Sequence, residues 1–470
     1  MRLLTIVFIM LCHAASGQDI LRVSSDRLKE DLTILKTTLV ELHPDIYRYT
    51  PKEKFEQVVD SVERSLGSEL TVIKFYRQAS LIVTSIRNGH TVIKPPDGFL
   101  RQSKLMPLRL IEFDKSVFIR NDFSSTDNRL RGLQITRIND VPIGELVRQI
   151  VPYVSMDGFN DDARYKAAVE DDLSYYYNII IGQPKEFKLD LFDPSSGKNI
   201  TEALPGIEAP EYWAKYSETN HFPWNIHFID SLQGAYLKIG SFNNLAAAEG
   251  TKKTFNNFLR DSFAKLEKLN VKRLTIDLRN NGGGELKNAI LLYSYIADKS
   301  FKFAKSVEVA TIDKPTYLEY TNYQAAARLD KINSKQITRN NGSVQLTDHF
   351  SLAEVKPNPK NFEGEVIVMI NEQTGSAAGA FATQIKSNKR GLIAGRENRD
   401  NFTGFSAGVP VVLTLPNSGI QVYIPLRKFG YAVDVDTGRG VIPDFNVTSN
   451  TKDYFGGVDT ELNFVLSLFR

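Results

Sequence analysis

Apolar residues recur every three or four positions near the start of the chain. Leu28, Leu32, Leu35, Leu39 and Leu42 form one series, Phe55, Val58, Val59, Val62 and Leu66 a second, and Phe75, Leu81, Ile82 and Ile86 a third. This spacing keeps one helical face buried, so it predicts three helices between residues 25 and 87. His43-Pro44 ends the first, because proline disfavours helical geometry in the residue before it. The third, Val72 to Ile86, stops at Asn88-Gly89-His90, and an extended Thr91 to Lys94 follows before Pro95-Pro96.

From about residue 105 the period shortens. Leu108 to Ile111, Ser116 to Arg120 and Leu133 to Asp140 read as strands, the last ending in an Asn139-Asp140 turn, and Val141 to Ile150 reads as a short helix. Asp193-Pro194-Ser195-Ser196-Gly197 is a turn. These features predict a small β-rich module over 101–205. Beyond 206 strands and helices alternate: a strand at Gly234 to Ile239, a helix at Thr254 to Leu269, a strand at Val271 to Arg279 and a helix at Glu285 to Ala297. Alternation of this kind predicts a mainly parallel sheet covered by helices, hence an α/β core over 206–470. Val307 to Phe362 is polar and reads as an irregular excursion from that core.

At 470 residues the chain exceeds one ordinary domain. Its net charge of +3 carries no nucleic-acid footprint. Arg2, the apolar run Leu3 to Leu11, and Ala15 and Gly17 at the small-residue positions read as a secretory signal over 1–17, cleaved near Gly17. The run is far shorter than the roughly 20 residues a bilayer requires, so no membrane span is expected. Cys12, the one cysteine, lies inside this leader, which excludes a cysteine nucleophile or a cysteine-bound metal from the mature chain. The protein is therefore expected to be exported, periplasmic or extracellular, with a helical domain over 18–100.

Candidate chemistry centres on Glu365 to Lys386. Val366 to Ile370 is a β-branched run of the buried-strand type. Gln373-Thr374-Gly375 turns the chain, and a helix begins, which leaves Ser376 on a helix N-terminus where unpaired N–H groups and the helix dipole favour a developing anion. The plainer reading is a serine N-cap. Asn280-Asn281-Gly282-Gly283-Gly284 is a second strand-to-helix loop; it lacks the Lys and Ser/Thr of a nucleotide P-loop, and Lys287 stands where a dinucleotide motif needs glycine. Both loops are expected at the same end of adjacent parallel strands, so the glycine loop is a source of oxyanion-binding N–H groups. The hydrolase signature G-x-S-x-G fails at Ser376. Lys386 and Lys389 fall about 15 Å or more along the helix from its start, out of reach of the serine. Among the histidines, His90 is set apart by the sharp boundary it occupies between Gly89 and Thr91, a place where, taken alone, a structural turn residue is the more common occupant.

Asp277-Leu-Arg-Asn-Asn-Gly-Gly-Gly284, Thr374-Gly-Ser-Ala-Ala-Gly-Ala-Phe-Ala382 with Gly391-Leu-Ile-Ala-Gly395, and Gly440-Val-Ile-Pro-Asp444 resemble the C-terminal processing, or tail-specific, serine protease family. Asn88-Gly89-His90-Thr91 is similar to the pattern around the base in its tricorn-core branch. The resemblance covers most of residues 25–450. It implies a helical N-terminal segment, a PDZ-like module to which Leu133 to Ile150 corresponds, and a crotonase-like α/β protease core. It also implies Ser376 as nucleophile, His90 as base, and an oxyanion hole from the N–H groups of Ala377 and Gly283 or Gly284. No metal or cofactor is implied, and the partner is a polypeptide substrate.

The sequence departs from the family pattern at three places. The lysine of the serine–lysine branch would fall at Asn401. Asn88 replaces an aspartate usual before Gly-His, and Gly379 stands where a glutamate is common. The orienting acid has Asp434 and Asp436 as its weak candidates. The main expectation is a serine endopeptidase acting on extended or C-terminal polypeptide segments. A non-catalytic binding protein on the same fold is the alternative, and an esterase a third.

Overall fold

The computed structural model describes residues 21–470 apart from 97, 100, 102, 220–223, 245–253, 327–333, 341–342 and 432–435. The leader at 1–17 and Asp434 lie outside the described residues.

The helical spacing at the start becomes α1 (Ser25–Leu42), α2 (Lys52–Ser65) and α3 (Val72–Ser85). Leu28, Leu35, Leu39, Phe55, Phe75 and Ile82 are fully buried, so each apolar stripe faces inward. Thr71 caps α3 by accepting from the Lys74 N–H at 3.4 Å. The chain then turns through Asn88 to Thr91 into β1 (Val92–Lys94), which pairs antiparallel with Gln421–Ile424. In α1 the buried Asp31 carboxylate accepts from the backbone N–H groups of Asn417 and Ser418 at 3.0 and 2.9 Å. The helices therefore share one hydrophobic core with the later sheet.

An antiparallel sheet follows, built from β2 (Leu108–Phe113), β3 (Ser116–Asp122), β4 (Gln134–Ile138), β5 (Glu186–Asp193) and β6 (Lys198–Pro205), in the order β6-β5-β4-β3-β2, with Val141–Pro142 on β4. Helices α4 (Ile143–Ile150) and α5 (Asp161–Glu170) are among those between β4 and β5, and they help close a separate core that includes Val117, Ile119, Leu146, Ala167 and Leu189. Helix α5 has no counterpart in the sequence reading. It packs through Ala163, Ala167 and Ala168, whose small side chains leave no apolar stripe for periodicity to detect.

The third region contains β7 (Trp224–Ile229), β8 (Gly234–Ile239), α6 (Phe255–Lys268), β9 (Arg273–Asp277), α7 (Leu286–Ser294), β10 (Glu365–Ile370), α8 (Ala377–Ser387), β11 (Leu392–Gly395), β12 (Gly404–Ala407), β13 (Phe445–Asn446) and α9 (Thr460–Ser467). The sheet runs β7-β8-β9-β10-β11-β13, parallel from β8 onward, with β7 antiparallel at one edge. Strand β10 is buried on both faces, as its continuous apolar run requires. Val366, Val368 and Ile370 join the main core, while Ile367 and Met369 pack on the opposite side with Val465 and Phe469 of the C-terminal segment. The stretch read as irregular, 307–362, contributes to structure of its own. Ser306–Val309, Ile337–Asn340 and Ser343–Leu346 form a five-stranded antiparallel sheet with Arg427–Gly430 and β12. Each of these strands is four residues long, too short for alternation to register against a polar background.

Candidate active site

Strands β9 and β10 run side by side in parallel, with Arg273 opposite Glu365 and Asp277 opposite Met369, so their following loops leave the sheet at one end. The loops are laced together. Thr374 Oγ1 donates to the Leu278 carbonyl at 2.9 Å, the Gly375 N–H to the Asn281 carbonyl at 3.0 Å, and the Asn280 N–H to Asn371 Oδ1 at 2.9 Å. The buried Asp277 carboxylate at the end of β9 anchors the glycine loop. It meets Lys238 at 3.1 Å and Arg279 at 2.8 Å, and accepts from Tyr236 Oη at 2.7 Å. Burial opposes its charge, but Lys238 and Arg279 outweigh that cost and hold the carboxyl below its ordinary range.

Ser376 occupies the N-cap position of α8, at φ 53° and ψ −122°, and its side chain makes no capping hydrogen bond. A non-glycine residue at positive φ is strained, and a serine there without a cap lacks the usual structural reason to be at a helix start. The Ala377 N–H, first in the helix, and the Gly284 N–H donate to no acceptor among the described residues. The Gly283 N–H is already occupied, donating to Asn281 Oδ1 at 2.8 Å. Gly283 itself is packed on the serine: at φ 109°, a Cβ added to it would lie 2.6 Å from Ser376 Cβ and 2.9 Å from the Ala377 nitrogen.

His90 sits in the turn after α3 with its ring stacked on Phe405 of β12, centroids 5.4 Å apart and planes 1° from parallel. Asn88 shapes that turn. Its Oδ1 accepts from the His90 N–H at 3.2 Å and from Thr91 Oγ1 at 2.7 Å, while its Nδ2 donates to Asp157 Oδ1 at 2.9 Å and to the Ser406 carbonyl at 3.1 Å. An aspartate at position 88 would lose those two donated bonds and face Asp157 with a like charge.

Two buried carboxylates complete the cluster. Polar atoms of His90, Asp157 and Asp400 all lie within 4.8 Å of one another. The Ser376 backbone N–H acts on the Asp400 carboxylate, so this side chain lies near both the serine backbone and the imidazole. Burial, and then the nearby charge of Asp157, raise the Asp400 carboxyl well above its ordinary range against the pull of Arg399. Burial likewise pushes Asp157 up to about 7, against hydrogen bonds from the Gly89 N–H and Asn88. Burial and then the positive charge of Arg399 push His90 down to about 4, leaving the imidazole neutral at pH 7. A neutral imidazole can accept a proton.

The structure packs Gly283 on Ser376 and Ala377, and sets Asp400 near both Ser376 and His90. Asp436 is engaged elsewhere, accepting from Arg48 Nη2 at 2.7 Å, Asn401 Nδ2 at 2.8 Å and the Gly438 N–H at 2.8 Å. Asp157 and Asp400 were not singled out from sequence. Their one trace was Gly379: a Cβ there would lie 2.2 Å from Asp400 Oδ2, so the missing side chain admits the carboxylate. Lys386 pairs with Asp444, away from the serine. Beside the glycine loop a cleft of about 250 Å³ is lined by Arg109, Arg120, Lys238, Arg279 and Arg399 against Glu170 and Asp171.

Residues 233–447 match the model of peptidase family S41. The match spans a little under half of the chain and takes in the glycine loop, Ser376 and Asp400, but neither His90 nor Asp157. The chloroplastic C-terminal processing peptidase of Tetradesmus obliquus is 23% identical over 216 residues, which cover 45% of this chain and 36% of that protein's length. Family model and relative therefore both liken this chain to peptidases, the family model over residues 233–447. In fold the chain is similar to mature CPAF, with a TM-score of 0.65 at 16% identity over 94% of this chain and 98% of that one. Mature CPAF complexed with lactacystin gives 0.66 at 14% identity over 94% and 99%. No helix among the described residues is long and apolar enough to cross a membrane.

Proposed function

We propose that the chain is an exported serine endopeptidase that cleaves extended, C-terminal polypeptide segments. Ser376 Oγ attacks the scissile carbonyl carbon and its proton passes to His90. The oxyanion is held by the N–H groups of Ala377 and Gly284, since the Gly283 N–H is already given to Asn281. His90 then returns the proton to the departing amine as the C–N bond breaks, and water, deprotonated by the same imidazole, hydrolyses the acyl-enzyme. Asp157 and Asp400 orient His90, in the place for which Asp434 and Asp436 were the sequence candidates. The antiparallel sheet of 101–205 acts as a PDZ-like module presenting substrate, and the 206–470 region as a crotonase-like core. The excess of positive charge lining the cleft beside the glycine loop suits a substrate carboxylate.

The observation that carries this reading is Ser376 itself: a strained, uncapped serine whose backbone shares Asp400 with the one histidine at the cluster. Labelling with a fluorophosphonate probe tests it. The wild type is expected to take up the label and Ser376→Ala to lose it. A wild type that stays unlabelled where known serine hydrolases react would favour a binding protein on the same fold, and label persisting in Ser376→Ala would remove the serine from the mechanism.

A further inference from the structure

His90, Asp157 and Asp400 reach their common point from three parts of the chain: the turn after α3, the segment between α4 and α5, and the segment after β11. One ligand-type atom from each lies within 4.8 Å of the others. His90 Nδ1, Asp157 Oδ2 and Asp400 Oδ2 are all buried, and none has a hydrogen-bond partner. Both carboxylates belong to side chains at most 4% exposed. Buried polar atoms ordinarily find partners, so an unpartnered atom on each of the three residues of one cluster needs a common explanation.

The surroundings hold these groups as a ligand set is held. Asn88 Nδ2 fixes Asp157 through Oδ1, the Ser376 backbone N–H acts on Asp400, and Oδ2 of each carboxylate is left without a partner. Outer hydrogen bonds of this kind orient metal ligands. Arg399 has its guanidinium on Asp171 at 3.2 and 3.3 Å. No lysine or arginine makes an ion pair with Asp157 or Asp400 among the described residues; Arg399 acts on Asp400, and Arg48 on Asp157, only through space. A dication neutralises two carboxylates, and one imidazole nitrogen with two carboxylate oxygens is a donor set that zinc accepts, at about 2.0–2.2 Å per ligand. Ligand atoms at that range stand about 3.3 Å apart in a tetrahedral site, so side-chain rotation has to contract the present cluster by no more than about 1.5 Å.

We propose that His90, Asp157 and Asp400 form a reversible site for a divalent cation of the zinc class, and that its occupancy silences the serine. The inhibitory half rests on the proposed function above; the binding half does not. A neutral imidazole has one nitrogen with a free lone pair. When a cation takes that lone pair the other ring nitrogen carries the proton, and no acceptor remains for the Ser376 hydroxyl.

The test uses the full chain after chelator treatment. Zn2+ is titrated by calorimetry, with Co2+ as a second probe read by its visible ligand-field absorption. One equivalent is expected to bind the wild type, with affinity falling at least about tenfold in Asp157→Asn and, independently, in Asp400→Asn. Absence of stoichiometric binding to the wild type, or undiminished binding in both variants with native circular dichroism, overturns the site. In parallel, fluorophosphonate labelling of Ser376 is followed with Zn2+ and then with chelator. Labelling that stops and returns supports inhibition through His90. Zn2+ that binds without slowing labelling overturns the inhibitory half and, with it, His90 as base, while leaving the site itself in place. Labelling without any Zn2+ binding sinks the metal site and leaves the peptidase reading intact.

Discussion

Substituting Gly283→Ala and, separately, its neighbour Gly282→Ala isolates the steric fit of the glycine loop on the serine. A Cβ at Gly282 meets nothing within 4 Å. At Gly283 the same atom would lie 2.6 Å from Ser376 Cβ and 2.9 Å from both the Ala377 nitrogen and the Gly375 carbonyl oxygen, at φ 109°. The backbone strain of an L-residue there costs about 1–2 kcal/mol, and forcing the packed atoms apart about 1–3 kcal/mol more. Gly283→Ala is therefore expected to lose about 2–5 kcal/mol of unfolding free energy, and Gly282→Ala under about 1 kcal/mol. The loop can relieve the contact only by moving off Ser376, which carries the Gly284 N–H away from the oxyanion. Removing one such donor costs about 100- to 1,000-fold in rate. Urea unfolding reads the first effect, and the rate of fluorophosphonate labelling at a concentration of urea where both variants are folded reads the second. Equal stability and equal labelling rates in the two variants would refute the packing argument and the role given to the loop.

Four further outcomes are expected. His90→Ala should slow labelling by at least about 100-fold with an unchanged circular dichroism spectrum; an unchanged rate would remove it from the mechanism. Asn88→Asp installs the residue usual in the resembled family, yet it should lower the melting temperature and cost about 2–4 kcal/mol, because the bonds from Nδ2 to Asp157 and Ser406 are lost and a like charge is added. Asp277→Asn leaves Lys238 and Arg279 without their buried counter-charge, for a cost of about 3–5 kcal/mol at pH 7. Since the folded Asp277 carboxyl titrates below its ordinary value of 3.8, its contribution is full above that pH and fades as the pH falls through the folded value. The stability gap between wild type and Asp277→Asn, measured by denaturant unfolding, should thus stay level from neutral pH to about 5 and narrow only below about 4. Arg120→Gln should raise KM about tenfold for a peptide with a free C-terminal carboxylate and leave the matching amide unaffected.

The strand, turn and helix around Ser376 were legible because each carries a local signal: a β-branched run for β10, Thr374-Gly375 for the turn, and small residues for a helix that packs closely. The same held for β8, whose bounds Gly234–Ile239 emerge unchanged, and for the apolar stripes of α1 to α3. The carboxylates facing His90 were not legible. Asp157 lies in Ser155-Met-Asp-Gly-Phe159 and Asp400 in Arg399-Asp-Asn401, polar turns that look like any others. Their place beside His90 exists only through long-range packing, whereas the sequence candidate Asp436 is given by the structure to Arg48 and Asn401. Gly379 was noted as a missing glutamate. In three dimensions the space a side chain at Gly379 would take is occupied by the Asp400 carboxylate.

The segment bearing Asp157 is clamped to the far end of the chain. The Phe159 N–H donates to the Gly438 carbonyl at 2.8 Å, and a Cβ on Gly158 would lie 2.1 Å from that same oxygen. A growing polypeptide therefore exposes its imidazole and first carboxylate long before the serine exists, and closes the clamp only when residue 438 has arrived. The carboxylate facing His90 is therefore held by a contact that cannot form until nearly the whole chain has been made.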